Sequence, residues 1–462
     1  MIVAVGPGHG REEERIPVAR ILLYSQPVLG VFFANALVSF YLLKFATDVL
    51  LIEPAVVGTI LLAGRIWDAV TDPLVGHWSD RTQTRLGRRR PWFLGSAVPL
   101  GLSVIALWSP PAGLAGPALT LWLTVSFLLY LTFYTTFRVP HMALGAELTR
   151  GYHDRTRVFG IMQAVESAGI LLAAGGLAWL ENAEAPREAA VRLSQGMALL
   201  AIVLILLTTL RLRERSEFQG RSRAGSRRAF GEVLRNPHAR LLVGIFFLEQ
   251  LGFAALISLL PYISQYVLET PGRTFLYLMG AMVFQVASIP FWIPLSRRFG
   301  KQPVWLASMA LKVLAFGLMF FVGPGDTKTL AVVVIAFGML SGCGSVVGPS
   351  LKADVIDWDE AESGERKEGA YFAAWNFVQK SAAGVSGWLI GMVLSATGFA
   401  PNVAQDAPAL AGIRTLASIW PLLLHVVAFV LVWRFALDEA VHRDARRRAQ
   451  RRRAGDAERA TR

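Results

Sequence analysis

Cysteine is nearly absent from this chain of 462 residues: Cys343 stands alone, so no disulfide closes within the chain, and no Cys/His cluster offers a structural metal site. Charge is scarce as well. Asp, Glu, Lys and Arg make up 17% of the residues against 54% hydrophobic, too apolar for the two or three soluble domains that the length would otherwise suggest. The phosphate-cradling patterns GxxxxGKS and GxxxxGKT are missing, and so are HExxH and GxSxG, which argues against ATP as an energy source and against a membrane-embedded enzyme. What is plentiful is apolar bulk: 27 Phe and 13 Trp, with a mean hydropathy of +0.46. Such a chain turns its outer surface to hydrocarbon and reads as an integral membrane protein. The 46 Lys and Arg exceed the 33 Asp and Glu by a formal +13, but they lie mostly between apolar runs instead of on one basic face, so no nucleic-acid partner is expected.

A helix crossing a hydrocarbon core about 30 Å thick needs roughly 20 apolar residues, because backbone groups do not go unpaired in lipid. Twelve runs meet this requirement, near 21–45, 54–77, 91–109, 118–139, 158–180, 193–210, 241–267, 275–294, 304–322, 329–347, 369–395 and 415–437. The predicted fold is an all-α membrane protein of twelve transmembrane helices. Lys and Arg are retained on the cytoplasmic side. They crowd before the first run (Arg11, Arg15, Arg20), after the second (Arg81, Arg85, Arg88, Arg89, Arg90) and after the fourth (Arg150, Arg155, Arg157), whereas the alternate connections hold only Arg187, Arg192, Arg273, Lys328 and Arg414. Both termini are therefore expected in the cytoplasm, in a bacterial inner membrane. Residues 1–20 have no apolar core of their own, so a cleaved signal peptide is not expected.

Residues 211–240 carry nine arginines among Gly and Ser and divide the runs six and six. The expected organisation is a cytoplasmic N-terminus (1–20), a first six-helix half (21–210), a basic linker (211–240), a second half (241–437) and a basic tail (438–462). A weak internal repeat agrees: Arg85-Leu86-Gly87-Arg88 is echoed by Arg298-Phe299-Gly300-Lys301. Two six-helix pseudo-repeats are a layout of secondary transporters, whose sites lie near the midplane between the repeats.

A charge at the bilayer centre costs at least about 2.5 kcal/mol, so each needs a partner or a watery cavity. The second run holds Arg65, Asp68 and Asp72. Two carboxylates four residues apart share one helical face, and their repulsion in a low-dielectric site calls for a bound cation or a shared proton. Oxygen-only ligation suits a hard monovalent ion, with the hydroxyls of Thr71 and Thr135 as further candidate ligands. The plainer alternative is that Arg65 and Asp68, at i,i+3, neutralise each other. Lys380, deep in the eleventh run, needs an anion, and the two acids are the obvious one. Arg138 and Glu166 form a candidate pair or solute-binding couple, with Glu249 and Lys312 as weaker candidates. His425 reads as a packed residue, and Trp375 as packing or as an aromatic face for a sugar ring.

The stretch Trp67-Asp68-Ala69-Val70-Thr71-Asp72-Pro73, with Ser79-Asp80-Arg81-Thr82 and Arg85-Leu86-Gly87-Arg88 after it, resembles the glycoside-pentoside-hexuronide:cation symporters of the major facilitator superfamily. Thr47-Asp48-Val49, Val139-Pro140, the loop Ala353-Asp354-Val355-Ile356-Asp357 with Gly364 and Arg366, and Pro401-Asn402-Val403 extend the likeness over nearly the whole chain. In the melibiose permeases of that family, positions matching Asp68 and Asp72 hold the coupling cation, and those matching Thr135 and Lys380 contribute to or neighbour its site; Thr71 stands where they have Asn. The resemblance thus implies a Na⁺ or H⁺ site here. It does not carry over the galactoside site: Phe32 and Arg138 replace its acids, and Met142 and Gln163 replace its aromatic and arginine partners. A galactose ring is read by carboxylate acceptors, so melibiose is not the expected substrate.

The expectation is a cation- or proton-coupled symporter for a sugar, glycoside or hexuronide-like solute. Its cation site comprises Asp68, Asp72, Thr71 and Thr135, with Lys380 as charge partner. Its solute site comprises Arg138, Glu166, Phe32, Met142, Gln163 and Trp375, with His141 close to Arg138 to favour an anionic group. Asp80, Arg81, Arg85, Arg88 and Asp354 would latch the outward-facing state. No cofactor, no partner other than solute and lipid, and a monomer are expected. The alternative that Phe32 and Met142 leave open is a lysolipid or other amphipathic-anion carrier of the same fold.

Overall fold

The computed structural model describes residues 16–149, 152–212, 214, 231, 233–363 and 368–435. Twelve apolar helices are present: α1 Val18–Val49, α2 Pro54–Arg81, α3 Arg90–Trp108, α4 Gly116–Glu147, α5 Asp154–Glu181, α6 Pro186–Arg211, α7 Pro237–Val267, α8 Thr274–Phe299, α9 Lys301–Met319, α10 Thr327–Ser363, α11 Gly369–Ala396 and α12 Ala407–Trp433. The described residues contain no β-strand. Most of the basic linker, the N-terminal residues to 15, the tail from 436, and the motif residues Gly364 and Arg366 lie outside the described residues.

The number of helices is as expected, but their ends are not. α10 continues far beyond 347 and carries Asp354 and Asp357 on helix, where the sequence reading has a loop; α6 takes in Arg187 and Arg192, and α12 takes in Arg414. Hydropathy marks only the part of a helix that needs lipid. Polar turns beyond it keep their i→i−4 bonds and are invisible to that signal.

Two features join the halves. Along the α2–α11 crossing the backbones touch through glycine: a Cβ on Gly391 would stand 2.2 Å from the Pro54 carbonyl oxygen, one on Gly58 2.8 Å from the Gly387 carbonyl, and one on Gly384 2.4 Å from Arg65 Cγ. Small residues permit this approach in a membrane bundle, where lipid removes the hydrophobic drive for helices to associate. The second feature lies at the end of the bundle remote from the chain termini. α1 and α7 each finish in a π-helical turn, Phe45–Val49 and Ile263–Val267, which widens the last turn and redirects its polar side chains. There Tyr266 Oη donates to Asp48 Oδ2 at 2.6 Å, Lys44 Nζ donates to Gln265 Oε1 at 2.5 Å and also pairs with Asp48, and Asn402 Nδ2 donates to the Asp48 carbonyl at 2.7 Å. Thr274 adds a bond to Glu181 at 2.6 Å.

At the opposite end the named ion pairs each stay within one half. Arg89, buried, reaches Asp80 at 2.5 Å and Glu147 at 3.0 Å; Arg88 reaches Glu147 at 2.5 Å; Lys301 reaches Asp354 at 2.5 Å.

Candidate functional site

Helical spacing places Asp68 and Asp72 one turn apart on the face of α2 that turns inward, with Ile66, Val70 and Leu74 exposed on the opposite face. Asp68 is only 2% exposed. Because the glycine seam brings α11 against α2, Lys380 Nζ donates to Asp72 Oδ2 at 2.7 Å and stands 3.5 Å from Asp68 Oδ2. Arg65 Nη1 donates to that same Asp68 oxygen at 3.1 Å, and Thr135 Oγ1 on α4 donates to Asp72 Oδ1 at 2.8 Å. Five of the residues singled out on three distant segments therefore meet. Both readings of Arg65 meet here too: it neutralises Asp68, as the plainer alternative has it, yet it does not complete the site. Asp68 Oδ1 is buried and accepts no hydrogen bond among the described residues. A carboxylate oxygen left without a donor in a dry site is unfavourable by itself, and a hard cation or a proton is what it would take.

Thr71 is buried on the same helix. Its hydroxyl donates back to the Trp67 carbonyl at 3.1 Å, the usual recourse of a threonine inside a helix.

A second group forms on the first half. Arg138 Nη2 donates to Glu166 Oε1 at 2.5 Å, and the guanidinium lies 4.8 Å from the centre of the Phe32 ring. Met142, one turn beyond Arg138, is half-buried and packs into the main apolar cluster, and Gln163 is exposed one turn before Glu166. His141 does not join Arg138. It is fully buried, stacked on Tyr24 at 4.3 Å with its Nε2 2.8 Å from the Tyr24 carbonyl oxygen, so it offers no face to a solute. Nor does Trp375 belong with this group: it lines a cavity inside the second half together with Glu249, Lys312 and Lys352. His425 is buried and hydrogen-bonded to the Pro421 carbonyl, a packed residue as expected.

Of the proposed latch residues, Asp80, Arg88 and Asp354 are ion-paired as described, while Arg81 and Arg85 are exposed. Glu214, which the sequence reading passed over, accepts from the backbone N–H groups of Arg88, Arg89 and Arg90 at 2.8 Å each. Its only sequence signal is being an acid within an arginine run. Lys352 and Lys44 were also passed over, and Asp48 entered only through the resemblance; each is a charge within or at the end of an apolar helix, the criterion that found Lys380.

Residues 23–439 match a family profile described as MFS/sugar transport protein. Among curated relatives, a glucuronide carrier protein homolog of Escherichia coli (strain K12) is 26% identical, the match covering 88% of this chain and 90% of that protein. A putative sulfoquinovose importer from the same organism is also 26% identical, over 84% of each. Among solved structures, the crystal structure of a D-xylose-proton symporter superposes with a TM-score of 0.66 at 14% identity, covering 90% of this chain and 98% of that one.

Proposed function

This chain belongs to the MFS/sugar transport protein family, a transporter and not an enzyme, and from that premise we propose that it carries a sugar-type solute in symport with a cation or proton seated at Asp68 and Asp72. The observation that carries the reading is the bond from Lys380 to Asp72, which joins the two halves inside the apolar spans. Two cations, Arg65 and Lys380, already balance the two acids. A monovalent ion entering this low-dielectric cluster therefore displaces one of them, since a surplus charge is costly there. Lys380 is the one on the other half, so ion binding frees α11 from α2 and lets the halves rock.

The positive-inside bias supports placing the termini in the cytoplasm. The bundle end held by Asp48, Gln265, Tyr266 and Asn402 is then periplasmic, and the arrangement corresponds to the inward-facing part of the cycle. Asp80, Arg81, Arg85, Arg88 and Asp354 would engage across the halves when the cytoplasmic end closes. A solute held between the halves, with Arg138, Glu166 and Phe32 on one wall, binds more tightly once the ion is seated, and by linkage the ion binds more tightly with solute present. The polar and charged walls favour a sugar-type solute over an acyl chain.

Proteoliposomes loaded with purified protein and given an inward Na⁺ or H⁺ gradient test this. A labelled methyl glycoside or glucuronide should accumulate above equilibrium, and Asp68→Cys should abolish accumulation. Full accumulation by that variant would overturn the assignment.

A further inference from the structure

The two halves repeat more than their fold. Phe32 on α1 and Phe246 on α7, Arg138 on α4 and Lys352 on α10, and Glu166 on α5 and Lys380 on α11 are in each case 214 residues apart. The geometry repeats with them: the Arg138 guanidinium lies 4.8 Å from the Phe32 ring centre, and Lys352 Nζ lies 4.3 Å from that of Phe246. The third pair breaks the symmetry. In the first half the acid is present and neutralises Arg138, whereas in the second half its counterpart is Lys380, itself a cation and engaged with Asp72. Lys352 is consequently a cation over two aromatic rings, the other being Trp375 at 5.3 Å, with no ion-pair partner among the described residues.

It lines a cavity of about 280 Å³ whose other charged groups are Glu249 and Lys312, paired to each other at 3.2 Å. Glu249 and Lys312 offset each other, which leaves Lys352 as the unmatched lysine of the lining. Trp375 is 3% exposed, and its Nε1–H, a donor only, has no acceptor among the described residues. Gln250, Gln285 and Ser345 add polar groups to the wall. A volume close to the lower end of small-molecule sites, roughly 300–1,000 Å³, suits one sugar ring.

We infer that this cavity is an anion-reading solute subsite on the second half: Lys352 takes the carboxylate or sulfonate of an acidic sugar, and Trp375, whose ring is stacked on Tyr371, donates its N–H to a hydroxyl of the pyranose. The anion supplies the counter-charge that Glu166 supplies in the first half. The inference rests on the sugar-transport reading and narrows it to acidic sugars. It also separates the tasks of the two walls, since Arg138 already has an acid and Lys352 does not.

Binding to the purified full-length protein by isothermal titration decides it, with 4-nitrophenyl β-D-glucuronide and 4-nitrophenyl β-D-glucoside as probes, which differ only in carboxylate against hydroxymethyl. Wild type should bind the glucuronide roughly 10- to 100-fold more tightly, the range of a hydrogen bond to a charged group in a partly dry site. Lys352→Met should erase that preference by weakening the glucuronide far more than the glucoside, Lys352→Arg should keep most of it, and Trp375→Phe should weaken both. The folded state of each variant is checked by its elution profile and by retained cation binding at Asp68 and Asp72. Equal affinity of wild type for the two probes, or binding of neither, overturns the inference, as does glucuronide affinity unchanged in Lys352→Met. The Asp68→Cys accumulation assay is independent: coupled uptake of neutral glycoside with no Lys352 effect sinks this subsite alone, and Lys352-dependent binding without ion coupling sinks the symport reading alone.

Discussion

Lys380 donates to Asp72 at 2.7 Å although 308 residues separate them, so the only lysine of α11 is spent on an acid of the other half. In that position it competes with any ion for the same oxygens. Lys380→Gln should raise cation affinity about tenfold, equivalent to roughly 1.4 kcal/mol, while gradient-driven accumulation falls to the level of exchange. Na⁺ isotherms and proton release on the purified protein measure the first effect; unchanged affinity for both ions would remove Lys380 from the competition.

The Gly391 backbone touches the Pro54 carbonyl, and a side chain has nowhere to go. Gly391→Leu should lower stability by about 1–3 kcal/mol through overpacking and stop uptake by prising α11 from α2. Gly175→Ala on α5, where nothing lies within 4 Å of an added Cβ, is the control and should leave the detergent melting temperature unchanged.

Breaking a buried ion pair leaves the surviving charge stranded. Glu166→Gln strands Arg138 and should cost about 3–5 kcal/mol. The double variant Arg138→Met with Glu166→Leu should recover much of that stability in thermal unfolding but not solute transport. If the double variant is no more stable than Glu166→Gln, a stranded Arg138 charge is not the source of the loss.

The remote end of the bundle should open when its cross-half bonds are cut. Asp48→Asn weakens the acceptor shared by Lys44 and Tyr266. Spin labels on Glu53→Cys and Val403→Cys, both exposed positions on opposite halves, report the separation in a Cys343→Ala background. A population at longer distance should appear with Asp48→Asn and grow with Tyr266→Phe; an unaltered distribution would mean that other contacts hold this end.

Much of the charge cluster between α2 and α11 was legible without coordinates. A carboxylate in an apolar run is expensive wherever it falls, so Asp68, Asp72 and Lys380 stood out by cost alone. Thr135 was reachable because its resemblance-based position coincides with a real bond to Asp72. The bond from Thr71 to Trp67 was not legible, because a hydroxyl in a helix has a ready acceptor in its own preceding turn, a choice that composition does not reveal. His141 misled for another reason: proximity in sequence to Arg138 says nothing about which way a helical face turns.

The chain by itself determined that there are twelve apolar crossings and that two acids one turn apart sit inside the apolar part of α2. These are local matters of length, period and the price of charge in lipid. Tertiary structure decided how the charges are matched. It gave Asp68 and Asp72 to Arg65 and Lys380, closed Arg138 with Glu166, and left Lys352 over aromatic rings with no acid partner among the described residues. The reason is that the energy of a buried charge depends on what stands within a few ångströms of it, and which helices cross there is settled by glycine contacts and packing between segments hundreds of residues apart.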